Sequence, residues 1–491
     1  MRGFLMLSAI LLPVLGSILI PLFGWKRRAA MLTYLETLVC ITSLLVWTLL
    51  LQKPTEAFTV VYFTGNLAIE LQVDGLSTVF AGLISALWPF ATLYAFAYMK
   101  HEEREKGFFM FYTMTYGVTL GIAMAGNLLT MYFFYELLTL VTVPLVMHTL
   151  SREAILASRK YLYYSLGGAA FAFIGLIFVI LYGSSMNFVY GGVLDLEKIG
   201  GRTDVLLLIY VFAFCGFGVK AALCPFNSWL PQAGVAPTPV TALLHAVAVV
   251  KSGAFAIMRL TYYSYGTDFI RGTWAQNVVM TFTIITIVYG CSRAVKETHL
   301  KRRLAYSTVS NLSYILFGVT IMTPLGLLGA LAHMVCHAVM KICSFFCVGA
   351  VMHQTGKQYV HEIDGFSRKM PRVFFCFTIS ALALMGVPGL AGFVSKWYLA
   401  TAAVASENPL AGIGVAALLL SALLTAIYML GIVIRAYFPG KDFDYAAIKD
   451  VEDPGPAMQI PLFLFVAAML FFGLNSAPLI RFLNDVAAGV R

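Results

Sequence analysis

Apolar stretches of about twenty residues, the length that crosses a bilayer, run along the whole chain with short polar gaps between them. The pattern predicts fourteen spans: 3–24, 29–51, 74–99, 108–126, 128–149, 161–184, 204–224, 237–263, 274–293, 304–322, 325–352, 371–402, 410–438 and 457–480. No gap is long enough for an inserted soluble domain. Residues 53–73 differ, because Phe58, Val60 and Tyr62, then Leu67, Ile69 and Leu71, follow the two-residue period of strands. They predict a hairpin outside the membrane. Pro225 and Pro231 follow the seventh span, and Pro388, Gly389 and Gly392 lie inside the twelfth. Proline removes a helical donor, and broken helices are tolerated at depth only where protein or water satisfies the freed backbone.

Composition agrees with the pattern. The 491 residues are 60% hydrophobic and 11% charged, against roughly 25% charged in soluble domains. The fold class is therefore all-α, a single polytopic membrane bundle. The net charge of +10 is explained by position. The cluster Lys26-Arg27-Arg28 follows the first apolar run, the reverse of a signal peptide, so the first helix reads as retained with its N-terminus outside. Fourteen spans then place the basic groups at 26–28, 100–106, 152–160, 293–303, 357–372 and 435–449 inside. Outside remain Arg2, Lys53, Lys198, Arg202, Arg259, Arg271, Arg481 and Arg491, and both termini are outside. This separation makes the basic excess a topology signal, with no call for nucleic acid. The eight cysteines form no CxxC pair and read as small packing residues.

Four lysines stay within the spans: Lys220, Lys251, Lys341 and Lys396. A lysine at bilayer depth costs on the order of 2.5–3.5 kcal/mol even on the lenient insertion scale. Snorkelling to an interface is the bland reading, and proton-binding groups in a buried polar path the sharp one. Gly216-Phe217-Gly218-Val219-Lys220 recurs as Gly392-Phe393-Val394-Ser395-Lys396, five spans later and therefore reversed in the membrane. That is the mark of inverted repeats. It divides the chain into residues 1–107, a first repeat at 108–263, a second at 274–438 and a closing helix at 439–491.

Glu136, near the middle of the fifth span, is the natural partner of Lys220. Burial disfavours the charged form of each group and an opposite charge nearby favours it, so a pair that closes and separates can switch a proton on and off. His333, His337 and Lys341 stand at i, i+4 and i+8, on one helical face. Imidazole accepts on one nitrogen and donates from the other, so the row reads as a proton wire; metal ligation and interhelical hydrogen bonding are the other readings. His245 and Lys251 are six residues apart, on different faces of a regular helix. They can act together only if that helix is bulged or unwound.

Asn227-Ser228-Trp229-Leu230-Pro231-Gln232-Ala233, followed by the run from Ala236-Pro237-Thr238-Pro239 to His245-Ala246, resembles the signature of the antiporter-like proton-translocating family. Its members occur in respiratory complex I, in Mrp-type sodium/proton antiporters and in energy-conserving membrane-bound hydrogenases. The resemblance covers nearly the whole chain. It implies that Glu136 is the fifth-helix glutamate, Lys220 its partner, Lys251 the central lysine and Lys396 the residue beside the outlet. The lysine at 396, where one complex I subunit type has glutamate, favours the other types. The resemblance further implies an ion-translocating subunit with no cofactor, in a prokaryotic inner membrane. Its partners would be other membrane subunits, further antiporter-like subunits and a redox module; its cargo would be protons, with sodium exchange open. A standalone secondary transporter and a structural membrane anchor are the competing classes.

Overall fold

The computed structural model describes residues 2–52, 56–65, 67–440 and 443–490; Lys53, Lys441 and Arg491 of the charge map lie outside them. Helices occupy every predicted span. They are α1 (Arg2–Leu22), α2 (Arg28–Leu50), α3 (Gly75–Tyr98), α4 (Glu105–Ala123), α5 (Leu128–Val146), α6 (Arg152–Tyr182) and α7 (Thr203–Lys220), then α8 (Thr238–Ala246) and α9 (Val249–Met258). There follow α10 (Trp274–Lys296), α11 (Leu300–Thr320), α12 (Pro324–Thr355), α13 (Pro371–Met385), α14 (Ala391–Val404), α15 (Pro409–Tyr437), α16 (Pro456–Leu474) and the amphipathic α17 (Ala477–Ala487). Among the described residues, eleven helical segments are long and apolar enough to cross a membrane.

Local chemistry sets the helix starts. Asp74, Asn127, Ser151 and Thr323 accept from amides in the first turns of α3, α5, α6 and α12, each satisfying a donor the helix leaves open. Prolines begin α12, α13, α15 and α16, where a missing N–H is harmless. The expected hairpin forms from β1 (Phe58–Thr64) and β2 (Leu67–Leu71), antiparallel and bulged. The side-chain amide of Asn127 donates to Ala68 O at 3.0 Å and ties it to α5.

Two spans are interrupted. Between α8 and α9 the amides of Val247 and Ala248 both return to Leu243 O, at 3.1 and 2.9 Å, so the hydrogen-bond ladder loses register. The continuation ends in a π-helical turn, Arg259–Tyr265. Between α13 and α14 the chain turns at Gly386, whose φ of +94° is left-handed and suits glycine. By contrast α12 runs unbroken for 32 residues and is buried along its membrane-length core. It is the axis of the bundle.

Candidate functional site

The buried charges gather around that axis. Lys220, the last residue of α7, is fully buried, which removes the snorkelling reading. Its ammonium donates to the carbonyl of Tyr135, sits 3.4 Å from the centroid of the Tyr135 ring and lies 3.9 Å from Glu136 Oε1. The predicted partner is thus in place, at the long edge of ion-pair distance. Glu136 Oε1 accepts no hydrogen bond among the described residues, so the pair has room to tighten. The aromatic face of Tyr135 has no signal in the sequence pattern; cation–π attraction grows when the cation is desolvated.

Lys251 is also fully buried, and its Nζ meets Nδ1 of His337 on α12 at 2.5 Å. Whichever atom donates, one proton lies between them. Lys251 stands in the first turn of α9, where the partial positive charge of a helix N-terminus opposes a second cation. The α8/α9 break is the distortion that the six-residue spacing required. It does not join the two residues directly: among the described residues no hydrogen bond links His245 to Lys251, and His245 stacks on Phe345 with centroids 4.9 Å apart. Gly253 fixes how close α9 comes to α7. A Cβ there would lie 2.6 Å from Ala221 N, closer than side chains allow, and 3.1 Å from Lys220 Cβ, a tight contact.

His333 and His337 do line one face, with ring centroids 5.7 Å apart. His333 Nδ1 lies 2.9 Å from Ser395 Oγ, next to Lys396. Lys396 reaches back across the α13/α14 break and donates to Leu384 O at 2.6 Å and Met385 O at 3.1 Å. These are carbonyls that a helix end leaves without intrahelical partners. Lys341 departs from the expected row. Among the described residues its ammonium is not hydrogen-bonded to a histidine; it donates to Ser307 Oγ at 2.7 Å and Leu304 O at 3.2 Å on α11, and Tyr428 OH in turn donates to Ser307 Oγ at 2.7 Å.

The charge map also needs correction. Lys301 and Arg303, read as inside loop residues, are buried, 5% and 8% exposed. Lys301 donates to Ala236 O at 2.9 Å, and Arg303 to Glu297 O and Tyr428 O at 2.7 and 3.1 Å. Arg259, read as outside, is 1% exposed and forks onto Asp74 at 2.5 and 2.7 Å. Hydropathy could not reveal this pair, because Asp74 precedes its helix and Arg259 lies in the π turn.

This arrangement can be set beside known proteins. A model of the family "NADH:quinone oxidoreductase/Mrp antiporter, TM" matches residues 125–425, which contain every one of the buried lysines and histidines above. The chain belongs to this family of antiporter-like membrane subunits. NADH-quinone oxidoreductase subunit N of Desulforudis audaxviator is 30% identical over 424 residues, covering 84% of this chain and 83% of that one. The fold is that of a chain of the membrane-bound sulfane sulfur reductase, an archaeal respiratory membrane complex, with a TM-score of 0.85, 21% identity and coverage of 99% and 97%. A chain of respiratory complex I from Thermus thermophilus gives 0.82, 22% identity and 98% coverage of each. In this antiporter-like subunit, the two hydrogen-bonded contacts that reach the axial histidines come from the two interrupted spans, through Lys251 and Ser395.

Proposed function

We propose that the chain moves protons along a line from Glu136 and Lys220, through Lys251, His337 and His333, to Lys396. The observation that carries this reading is the 2.5 Å contact between Lys251 and His337, which links a broken helix to the buried axis. The line has a physical asymmetry. Its end lysines donate to backbone carbonyls that help hold an ammonium, whereas Lys251 has an imidazole and a helix N-terminus. Protons therefore rest at the ends and pass through the centre. Lys341, with Ser307 and Tyr428, forms a side branch, and His245 stands between that branch and Lys251. The step between Lys220 and Lys251 runs through water. Driving it requires only that the Glu136–Lys220 pair tighten and separate.

The wider organisation follows the same reading. In this reading the chain crosses an inner membrane fourteen times with both termini outside, and two inverted repeats, 108–263 and 274–438, the second containing the axis, stand between residues 1–107 and 439–491. The subunit works beside other membrane subunits in a larger complex, as the chains it resembles do, and takes its energy from a redox module or a cation gradient. Glu136→Ala should abolish coupled translocation by the intact complex in membrane vesicles while leaving assembly unchanged. Normal pumping in that variant would sink the charge-pair step. A dependence of pumping on sodium at fixed pH would turn the reading from proton pump to sodium/proton exchanger.

A further inference from the structure

Glu36 is a carboxylate well within a span but outside the lysine line. Glu36 stands eight residues into α2, and Tyr112 seven residues into α4. The two helices run parallel: Arg28 pairs with Glu105 at their N-terminal ends, and Ser43 Oγ meets Tyr116 OH at 2.8 Å further along. At 1.5 Å rise per residue, Glu36 and Tyr112 both lie roughly 11 Å from the paired ends, about two turns into their spans. Trp88 of α3 stacks on Tyr116 with centroids 4.8 Å apart and tilts against Tyr112 at 5.6 Å. Three helices thus bring a carboxyl, a phenol and an indole to one level.

Each of the three leaves a polar atom without a hydrogen-bond partner among the described residues: Glu36 Oε2, Tyr112 OH and Trp88 Nε1, all buried. Tyr112 and Trp88 are fully buried side chains, and a buried polar group left unpaired calls for an explanation. Glu36 Oε1 accepts only from the Cys40 thiol, at 3.7 Å. None of the ion pairs among the described residues includes Glu36. The titratable groups that act on it are Cys40, one turn along its own helix, and Tyr112 on α4; Tyr34 turns to Gly16 O of α1, Tyr116 to Ser43, and Arg28 and Glu105 pair with each other at the helix starts. From α3, Trp88 comes to this level through its contact with Tyr112, and α1 carries no ionisable residue beyond Arg2 at its start. An ionised carboxylate without a counter-charge is costly at this depth. An indole N–H can donate to a carboxyl oxygen but cannot ligate a metal cation. The ligand that fits is a proton.

We propose that Glu36 binds and releases a proton at a site separate from the lysine–histidine line, with the unpartnered Tyr112 hydroxyl and Trp88 N–H as the donors at its level. Only a proton moves, between carboxylate and carboxylic acid, and no other reactant is needed. Glu36 is half-buried, so the proton exchanges at the exposed flank of the bundle, with water or with a titratable group that a neighbouring subunit brings there.

Dicyclohexylcarbodiimide, which modifies protonated carboxyls in apolar surroundings, tests this on the intact complex in native membranes with peptide mapping. Glu36 should carry the adduct, less of it as pH rises, and Glu36→Gln should abolish it. Infrared difference spectra should lose a carboxyl C=O band in Glu36→Gln and show it shifted in Tyr112→Phe. An unmodified Glu36 beside a modified Glu136 would overturn the proposal, as would a carboxyl band unchanged in both variants. Protection by sodium at constant pH would also overturn it, replacing the proton with a cation. Should Glu36→Gln not assemble, mapping of the unsubstituted chain and the Tyr112→Phe band shift still decide. None of these readouts depends on pumping, so the site stands or falls apart from the lysine line.

Discussion

Nζ of Lys251 and Nδ1 of His337 are 2.5 Å apart, one on the second half of a broken helix and the other on the unbroken axis. Residues that share one proton act as a unit, and units are non-additive under substitution. Lys251→Ala and His337→Ala should each lower proton translocation by about ten-fold or more, and the double substitution should lower it little further. Vesicle pumping assays on all four forms of the complex measure this. Fully additive losses would mean that the two residues serve different steps.

Lys396 gives a prediction that the sequence alone orders the other way. With one subunit type carrying glutamate at this position, Lys396→Glu is expected to be milder than Lys396→Ala. The carbonyls of Leu384 and Met385 reverse that order, since both accept from the ammonium and a carboxylate would face them with no proton to give. Lys396→Ala should lose translocation but keep the fold, and Lys396→Glu should lose both. Thermal unfolding of the purified complex separates the two outcomes.

The Asp74–Arg259 fork joins the start of α3 to the π turn after α9. Removing one member of a buried pair costs about 3–5 kcal/mol. Asp74 is partly exposed, so Asp74→Ala should lower stability by about 3 kcal/mol, at the low end of that range. Combining it with Arg259→Met should restore part of the loss. Denaturation in detergent, with and without the second substitution, measures the recovery.

Gly253→Ala tests the approach of α9 to α7. The added methyl meets Ala221 N at 2.6 Å, and backbone cannot yield as a flexible side chain can. Overpacking of this kind costs about 1–3 kcal/mol. Because the clash sits beside Lys220, translocation should fall further than stability does. Unchanged pumping would show that the Lys220–Lys251 distance is not critical.

Much of this is legible in the residues. Apolar run lengths locate the helices, because the bilayer sets span length, and Pro388 with Gly389 marks the second break. Glu136 opposite Lys220 and the histidine row are readable because each concerns one helix or one expensive charge needing one partner. What escapes depends on how separate helices rotate against each other. Lys341 has the same spacing as the histidines, yet it points to Ser307 on α11, which helical periodicity cannot reveal. Lys301, Arg303 and Arg259 sit at span ends, where a sequence offers water and protein equally, and tertiary packing chose protein. Glu36, a carboxylate inside the second span, is itself a readable signal, but Tyr112 and Trp88 come to its level from other helices, which the sequence does not reveal.

The unbroken α12 bears on how the molecule is made. Its 32 residues would extend about 48 Å, longer than a hydrocarbon core of about 30 Å, and its membrane-length core is covered by protein. A helix carrying His333, His337 and Lys341 has no such cover while it is newly inserted among lipids. It gains its cover from α3, α8 and α11, which precede it in the chain, and from α13, α14, α16 and α17, which follow. Biogenesis must therefore hold this segment at the insertion machinery, or in a half-built cleft, until the last third of the polypeptide has been synthesised.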